Sequence, residues 1–548
     1  MNSLFFSSNN SFETMQFQTN SSSATTFDPS VFFISGSDRV SWNLGDGSGY
    51  QATNSLSYTY SDSGSTKTVT LRANNLSSLD DINMSSDNIV GNLDLSRWSN
   101  LGGAVRLNSN PELTGITHTT STQLVGVSDI YLVSSCDITG NHDMSMFPNL
   151  GGRFNMAINS NLTGVTHTAS TQVFTQYDLQ QCNIIGNHDV SMFPNLGGTF
   201  LINNNSNLTG VTHTASTEVF TSYSASFCNL IGNHDMSMFP NLGGSFAINN
   251  NANLTGITHT ASTQVFNNYR AYSCNLYSLT LTGLTGLGGY IGIYDNANMS
   301  ELEFPNSSEI ISTFDVYNNA GVTSLNLSGL TGLGGVVQLH TYSNLTAITM
   351  PISSQATSFF YTHNDTALVS LDLSTMTGLG GRIWMYNMTN CTEVLFPNSS
   401  TSINQFHLYS APLLSELNIS GMTGLAGSVS LHSNSIMSAI TLPASSGVIS
   451  TLQLNNCNLN YVDFNPISST TINTGSGIIV SNNNMIVDDV NHILYDLYNI
   501  TTLNPTKWSG STVNIGGSNA APDGSSGGYD GITAASNLVL NGWTVTTS

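Results

Sequence analysis

Two adjacent and nearly identical segments decide the fold of this chain: LTGVTHTASTQVFTQYDLQQCNIIGNHDVSMFPNLGGTFLINNNSN (162–207) and LTGVTHTASTEVFTSYSASFCNLIGNHDMSMFPNLGGSFAINNNAN (208–253). Equivalent histidines in successive copies, such as His142 and His188, lie 46 residues apart. Self-similarity at a fixed period is typical of repeat architectures, in which each unit buries its apolar face against the next. The stretch from about 113 to 275 therefore predicts a stacked-repeat protein.

Each 46-residue repeat divides into two half-units of about 23 residues, and the same frame continues downstream with ordinary apolar residues. Leu-x-Leu segments have the period-2 spacing of a strand, so their apolar side chains share one face. Gly, Asn and Ser punctuate the segments and favour corners. We therefore expect a mainly β fold, a leucine-rich-repeat β-solenoid of about 17 turns, with one turn for each half-unit.

The histidines occupy positions that hold Leu, Phe or Met in other turns, as His188 does in the column of Leu279 and His213 in the column of Phe304. Because those columns are apolar, the imidazoles are predicted to lie in the interior as a hydrogen-bonded ladder. This predicted structural core ladder comprises His118, His142, His167, His188, His213, His234 and His259.

Two chemical alternatives for the histidines remain open. Histidines on neighbouring turns could approach one another and bind a metal ion, although no Asp, Glu or Cys cluster of ligand spacing accompanies them. The repeated Asn-His-Asp (141–143, 187–189 and 233–235) resembles a catalytic pair, but its His and Asp point to opposite faces of a strand. We predict no catalytic, cofactor-binding or metal-binding residues and no cofactor.

Four cysteines also recur with the repeat, at Cys136, Cys182, Cys228 and Cys274. Equivalent positions two turns apart would be separated by roughly 9–10 Å. A disulfide needs Cα atoms within about 7 Å of one another. These residues are therefore predicted to be free thiols packed as small apolar side chains.

The turns after the histidine repeats resemble a known family. MSELEFPNSSEIISTFDV (299–316) and CTEVLFPNSSTSINQFHL (391–408) resemble the BspA-like leucine-rich repeat, and the Leu-Gly-Gly turns fit the broader leucine-rich pattern. The resemblance implies a solenoid and a role among surface adhesins or virion and envelope components. It covers residues 74–479, and the His-for-Leu columns depart from it.

The ends of the chain differ from the repeats. After an N-terminal arm (1–12), residues 13–73 resemble a PKD-type immunoglobulin-like β-sandwich in their Trp-x-x-Gly-Asp-Gly turn, Tyr-x-Tyr strand and Thr-Val-Thr-Leu strand. Asp46 in that turn is an alternative calcium ligand. In 480–548, the apolar spacing of IVDDVNHILYDLYNI (486–500) predicts a helix, and a second helix is expected over 532–541. We read 480–548 as an α/β cap.

Composition and termini restrict the function. Lys and Arg total 9 against 32 Asp and Glu, for a net charge of −23, which argues against nucleic-acid binding through phosphate contacts. Residues 1–16 lack a basic start and an apolar run, so no secretory signal is expected. We also expect no membrane span, because no stretch of 18 apolar residues occurs. A virion protein released by lysis fits these features.

These observations predict a non-enzymatic structural or adhesive surface protein, a bacteriophage virion appendage such as a fibre, tail or capsid-attached protein. It would attach to other virion or surface proteins through its N-terminal domain and bind a host glycan or protein through weak contacts repeated along the coil. It could also form a homo-oligomer. The alternatives are a bacterial or eukaryotic cell-surface adhesin and a polysaccharide-degrading β-solenoid enzyme.

Overall fold

The computed structural model describes residues 12–21, 26–33, 39–121, 130–508 and 510–548, with the backbone alone at 473–476. The fold is mainly β, with 39% strand and 7% helix, and forms a β-solenoid of about 17 turns. This confirms the predicted repeat coil. The chain divides into an N-terminal unit (Met1–Leu254 with Thr258–Ser262) and a C-terminal unit (Thr255–Ile257 with Thr263–Ser548).

Each complete turn of the N-terminal unit contributes one strand to a long parallel sheet and one to a set of short parallel sheets. The strands of its described residues are β1 (Glu13–Asn20), β2 (Ser30–Phe33), β3 (Val40–Asn43), β4 (Tyr50–Ala52), β5 (Thr66–Ala73), β6 (Leu79–Asn83), β7 (Ile89–Asp94), β8 (Ala104–Arg106), β9 (Glu112–Thr117), β10 (Ile130–Leu132), β11 (Gly140–Asp143), β12 (Gly152–Asn155), β13 (Leu162–Thr166), β14 (Phe174–Asp178), β15 (Gly186–Asp189), β16 (Gly198–Leu201), β17 (Leu208–Thr212), β18 (Phe220–Ser224), β19 (Gly232–Met236) and β20 (Leu242–Ala247), with a 3-10 helix at Leu76–Ser78.

The register of these strands places the same position of each turn in one column. In the long sheet, Tyr131 of β10 pairs with Phe154 of β12, which in turn pairs with Tyr177 of β14. In the short sheets, His142 of β11 pairs with Val165 of β13. Residues 23 apart therefore stack, and the interior consists of columns of like side chains.

Residues 13–73 form strands β1–β5 and cover the first turn of the coil. Strand β1 pairs antiparallel with β5 on one side and with β7 on the other, and β2 pairs antiparallel with β6. An uncovered first turn would present rows of unpaired backbone groups. The N-terminal strands therefore cap both kinds of sheet at their first strand.

The C-terminal unit continues the same two-sheet pattern and adds two α-helices. Its elements, after β21 (Leu254–His259) at the boundary, are β22 (Phe266–Arg270), β23 (Ser278–Thr280), β24 (Leu287–Gly292), β25 (Glu301–Glu303), β26 (Ile311–Asp315), β27 (Ser324–Asn326), β28 (Leu333–Gln338), β29 (Ala347–Thr349), β30 (Thr357–His363), β31 (Ser370–Asp372), β32 (Gly381–Tyr386), β33 (Glu393–Leu395), β34 (Ile403–Tyr409), β35 (Glu416–Asn418), β36 (Leu425–Ser430), β37 (Ala439–Thr441), β38 (Val448–Gln453), β39 (Thr471–Ile479), α1 (Val487–Leu503), β40 (Thr512–Asn514), α2 (Gly531–Leu540) and β41 (Thr544–Thr546), with 3-10 helices at Asn465–Ile467 and Ser526–Gly528.

The C-terminal elements complete the long sheet. Strands β39, β40 and β41 pair in parallel, one after another, with β38. Helix α1 buries the predicted apolar face, including Val490 and Leu494, and carries two aspartates in its first turn. Helix α2 is capped by the side chain of Asp530 and is followed by Gly542 at a φ of +84°.

A left-handed residue closes each turn after the long-sheet strand. Many of these residues are Asn, which tolerates this conformation because its short side chain bonds to the local backbone. Ile158 and Thr341 are the β-branched exceptions. The column comprises Ser86, Ser109, Ser135, Ile158, Gln181, Asn204, Phe227, Asn250, Ser273, Asp295, Asn318, Thr341, Asn364, Asn387, Ser410, Ser433, Asn456 and Asn482, with φ values of 53–63°.

Candidate functional site

Three histidine–tyrosine–histidine triads lie in the interior of the N-terminal unit. The Tyr177 hydroxyl lies 2.7 Å from Nε2 of His167 and 2.6 Å from Nε2 of His188. Tyr131 joins His118 and His142 at 2.9 and 2.7 Å. The third triad, His213–Tyr223–His234, repeats this geometry at 2.9 and 2.7 Å.

The inner column of the long sheet accounts for the 46-residue period. Tyrosine and phenylalanine alternate there on successive turns, and their rings stack at centroid distances of 5.1–5.6 Å. Within this column only a tyrosine turn brings a hydroxyl into the core, and each such hydroxyl needs hydrogen-bond partners. The column runs Tyr131, Phe154, Tyr177, Phe200, Tyr223 and Phe246.

The same column explains why the histidines end with the repeats. In the C-terminal unit, the positions after Tyr269 are Ile291, Phe314 and Val337, which carry no hydroxyl. The columns that hold histidines in the N-terminal unit accordingly hold apolar residues here, such as Leu325. Histidine and tyrosine thus occur together.

Burial keeps the imidazoles neutral. It lowers the pKa of His142 and His188 to about 4, and that of His167 well below its usual 6.5. Nδ1 of His167 is buried without a partner. We therefore assign its proton to Nε2, so that it donates to Tyr177, and Tyr177 donates to His188.

The structure places the seven ladder histidines in the two columns of the short sheets. His118, His142, His167, His188, His213 and His234 are buried, and His259 is half-buried. The aspartate beside each Asn-His pair is exposed, and Asp143 instead accepts the backbone N–H of Ser145 at 2.9 Å. Among the residues that the structure describes, no three His, Cys, Asp or Glu side chains are grouped to hold a metal ion.

A second interior column lies at the corner, directly after the left-handed residue, and it contains five of the six cysteines, all but Cys391. Its asparagines bridge the turns: Nδ2 of Asn205 donates to the carbonyls of Leu179 and Ile202. Cys182, between two such asparagines, donates to the carbonyl of Met156. All six cysteines are free and buried, as predicted.

Two carboxyl groups, Asp87 and Asp365, occupy positions of this corner column that hold amides on other turns. Asp365 is fully buried, and it accepts hydrogen bonds from the backbone N–H of Tyr342 and the hydroxyl of Thr362. Burial raises the pKa of Asp365 to about 7. Its equivalents on other turns, such as Asn319 and Asn434, are neutral amides.

A column of eight aromatic rings lies on the outer face of the long sheet in the C-terminal unit. Each ring follows a buried residue of its strand and is itself half-buried, so that part of it reaches solvent. Successive centroids are 4.2–5.1 Å apart, with interplanar angles of 3–17°. This aromatic column consists of Tyr272, Tyr294, Tyr317, His340, His363, Tyr386, Tyr409 and His432.

More rings lie beside the aromatic column. Trp384 stacks on His407 with an interplanar angle of 4° and meets Phe359 edge-on at 87°. Tyr361 packs between Phe359 and the column. This part of the outer face is therefore almost wholly aromatic over the turns of β30, β32 and β34.

The aromatic column was not among the features predicted from the sequence. Its signal was present, because aromatic or His residues recur at intervals of 22 or 23 positions from 272 to 432. The equivalent outer positions of the N-terminal unit hold small or polar residues: Ser134, Ala157, Gln180, Asn203, Ser226 and Asn249. The turns therefore close without rings at this position.

Shallow grooves lie on the short-sheet face of each unit. In the C-terminal unit, one groove of about 590 Å³ is lined by Glu301 and Glu303, and another of about 260 Å³ is lined by Glu393 and Glu416. In the N-terminal unit, two grooves of similar composition recur one repeat apart, beside His142 and His188.

The comparisons with known proteins give no family. No protein-family model matches the sequence, and no curated protein matches it. Within the described part of the chain, no helix is long and apolar enough to cross a membrane. The site must therefore be interpreted from its geometry.

Proposed function

We propose that this chain is a non-enzymatic adhesive surface protein, a bacteriophage virion appendage that binds a host glycan or protein. The observation that carries the proposal is the aromatic column. Five of its eight rings are tyrosines, which are enriched at binding surfaces because they combine apolar area with a polar tip. The N-terminal unit forms its turns without them, so the coil itself does not require them.

The stacking suits the aromatic column to recognition. Each ring is held between its neighbours, so little side-chain freedom remains to be lost when a partner binds. Because ring faces are covered by stacking, the surface presents ring edges, tyrosine hydroxyls and imidazole nitrogens. The same group repeats on successive turns, which allows weak contacts to add through avidity.

The resemblances support the finer parts of the proposal. The BspA-like turns and the PKD-like residues 13–73 favour a surface module carried by a larger assembly. Strands β1 and β2 pair with strands β7 and β6 of the coil through their backbones. Residues 13–73 would therefore hold the coil rigidly to an attached partner. We propose the N-terminal domain as the attachment end, with other virion or surface proteins as its partners.

Location and binding test the proposal together. Mass spectrometry should find the chain in purified virions, and the full chain should bind host cells. The Tyr386→Asn/Tyr409→Asn variant should lose at least about tenfold in cell binding, since aromatic anchors dominate interface energies. Asn203→Ser, in the same outer column of the N-terminal unit, is the matched control and should bind normally.

Two results separate the alternatives. Recovery from a cell-envelope fraction instead of virions would favour the cell-surface adhesin. Normal cell binding by the tyrosine variant, with its thermal unfolding unchanged, would refute the aromatic column as the binding surface.

One observation favours an enzymatic alternative. Glu393 and Glu416 line one groove and lie on consecutive turns, roughly 5 Å apart along the coil. Glycosidases use two carboxyl groups at separations of about 5–10 Å. Release of reducing ends from a polysaccharide, abolished by Glu416→Gln, would establish this alternative. Product release that persists in Glu416→Gln would refute this pair.

A further inference from the structure

The short-sheet face of the N-terminal unit carries a groove that repeats with the sequence. Two copies, of about 510 and 310 Å³, are lined by the same residue types at ten of twelve positions. The shared lining of the first is Thr114, Gly115, Thr117, His118, Ile138, Asn141, His142, Asp143 and Met146. That of the second is Thr163, Gly164, Thr166, His167, Ile184, Asn187, His188, Asp189 and Met192.

Asparagine, threonine and glycine together shape the floor of each groove. Nδ2 of Asn141 donates to Oγ1 of Thr166 on the next turn at 2.7 Å. A Cβ atom on Gly164 would lie 2.7 Å from Oδ1 of Asn141, closer than real side chains approach. The glycine thus leaves room for the asparagine and keeps the groove open.

The same construction extends over further turns. Asn187 donates to Thr212 at 2.8 Å, and a Cβ atom on Gly210 would lie 2.7 Å from its Oδ1. Asn233 donates to Thr258 at 3.0 Å. The arrangement therefore repeats at every second turn, roughly 9–10 Å apart along the coil.

A buried acceptor lines each groove without a partner. His118 and His167 are more than nine-tenths buried, they line the two grooves, and the Nδ1 atom of each has no hydrogen-bond partner. With the proton assigned to Nε2, Nδ1 is an acceptor. Nδ1 of each ring is closed off from solvent, so a ligand hydroxyl, the kind of donor that this atom lacks, reaches it only when the groove wall moves.

The lining also restricts the chemistry of the ligand. Asp143 and Asp189 are exposed, and each is fixed by a backbone N–H at 2.9 Å. Hydrogen bonds from Ser145 lower the pKa of Asp143, so it is a carboxylate at neutral pH. The grooves, which lie wholly in the described part of the chain, include no Lys or Arg in their lining. Such a surface repels anionic polymers and accepts hydroxyl donors.

We propose that a neutral, linear, β-linked glycan lies along this face, with one disaccharide in each 46-residue repeat. The spacing of the grooves is of the order of one disaccharide in an extended β-linked chain. Carboxylate and threonine oxygens receive its hydroxyls, while the half-buried Met146 and Met192 contact its C–H surfaces. This inference rests on the proposed function. It adds a second binding surface, a class of ligand, and a spacing of one disaccharide for each 46-residue repeat.

The test is a series of cello- and manno-oligosaccharides titrated into the full chain by calorimetry. Affinity should rise from disaccharide to tetrasaccharide to hexasaccharide, since each complete disaccharide fills a further groove. A trisaccharide should bind little more tightly than a disaccharide, and a pentasaccharide little more tightly than a tetrasaccharide. The Asp143→Asn/Asp189→Asn/Asp235→Asn variant should lose at least about tenfold in hexasaccharide affinity, because it weakens charge-assisted hydrogen bonds.

The chain offers a matched control for this variant. Asp372 occupies the same strand position in the C-terminal unit and accepts the backbone N–H of Ser374 at 2.9 Å. Asp372→Asn removes one carboxylate from the same kind of turn outside the groove array, and should leave affinity unchanged. Circular dichroism melting checks that both variants are folded.

The outcomes separate this inference from the proposed function. Absence of binding to all the oligosaccharides, or equal hexasaccharide affinity in the folded triple variant and the wild type, overturns the inference even if the chain is present in virions and binds cells through the aromatic column. Absence from virions and envelopes, with stepwise oligosaccharide binding intact, refutes the proposed location and leaves the groove assignment standing.

Discussion

The hydroxyl of Tyr177 lies 2.6 Å from Nε2 of His188 in the interior of the N-terminal unit, and this contact makes a polar ring acceptable there. The second contact, from His167 at 2.7 Å, gives the hydroxyl both a donor and an acceptor. In each of the three triads, the tyrosine and its two histidines therefore satisfy one another's buried polar atoms.

Removing that hydroxyl should destabilise the coil. We expect Tyr177→Phe to cost about 1–3 kcal/mol, because two buried imidazole nitrogens lose their partner. The triple variant Tyr177→Phe/His167→Leu/His188→Leu imitates the apolar turns of the C-terminal unit and should recover much of this loss. Denaturant unfolding followed by circular dichroism measures both. A triple variant less stable than Tyr177→Phe would contradict the coupling.

Acid should weaken the N-terminal unit. The folded-state pKa of His142, His188 and His234 is about 4, whereas an unfolded histidine titrates near 6.5. Below pH 6.5 the unfolded chain therefore binds more protons, and stability falls as the pH drops towards 4. Thermal unfolding between pH 7.5 and 4 should show this slope. The triple variant of the Tyr177 triad, with two histidines fewer, should show a shallower one.

One carboxyl group opposes this trend. Burial raises the pKa of Asp87 to about 8, so between about pH 4 and 8 the folded state holds a proton that the unfolded state has lost. Asp87 therefore adds stability as the pH falls through this window. Between pH 7.5 and 4, thermal unfolding should therefore show a larger loss of stability in Asp87→Asn than in the wild type.

Asp365→Asn should stabilise the C-terminal unit in a pH-dependent way. The pKa of Asp365 is about 7 when folded and near 4 when unfolded, so its stabilising proton is lost as the pH rises through 7. Asparagine, which other turns already have in the same column, carries no charge. The melting temperature of the variant should exceed that of the wild type at pH 8.5, and the difference should shrink at pH 5. A difference independent of pH would contradict the assignment.

The sequence predicted the coil because the repeats force every turn to bury the same positions. It placed α1 and α2 within a few residues, since apolar spacing and Gly542 mark them. It gave no reason for the histidines, because the hydroxyl that pairs with His188 belongs to Tyr177 in another column. The aromatic column was missed although its recurrence every 22 or 23 positions is visible in the sequence, because that recurrence does not show on which face the rings lie or that they stack.

Ile158 provides a test of the corner geometry. It has a φ of 60° and is 49% exposed, and a β-branched side chain is strained in this left-handed region. The equivalent residue two turns on is Asn204, with the same φ. Ile158→Asn should therefore stabilise the coil by about 1 kcal/mol, and the reciprocal Asn204→Ile should destabilise it by a similar amount. Denaturant midpoints of the two variants, compared with the wild type, measure this directly. Equal midpoints would mean that the corner accepts isoleucine without strain.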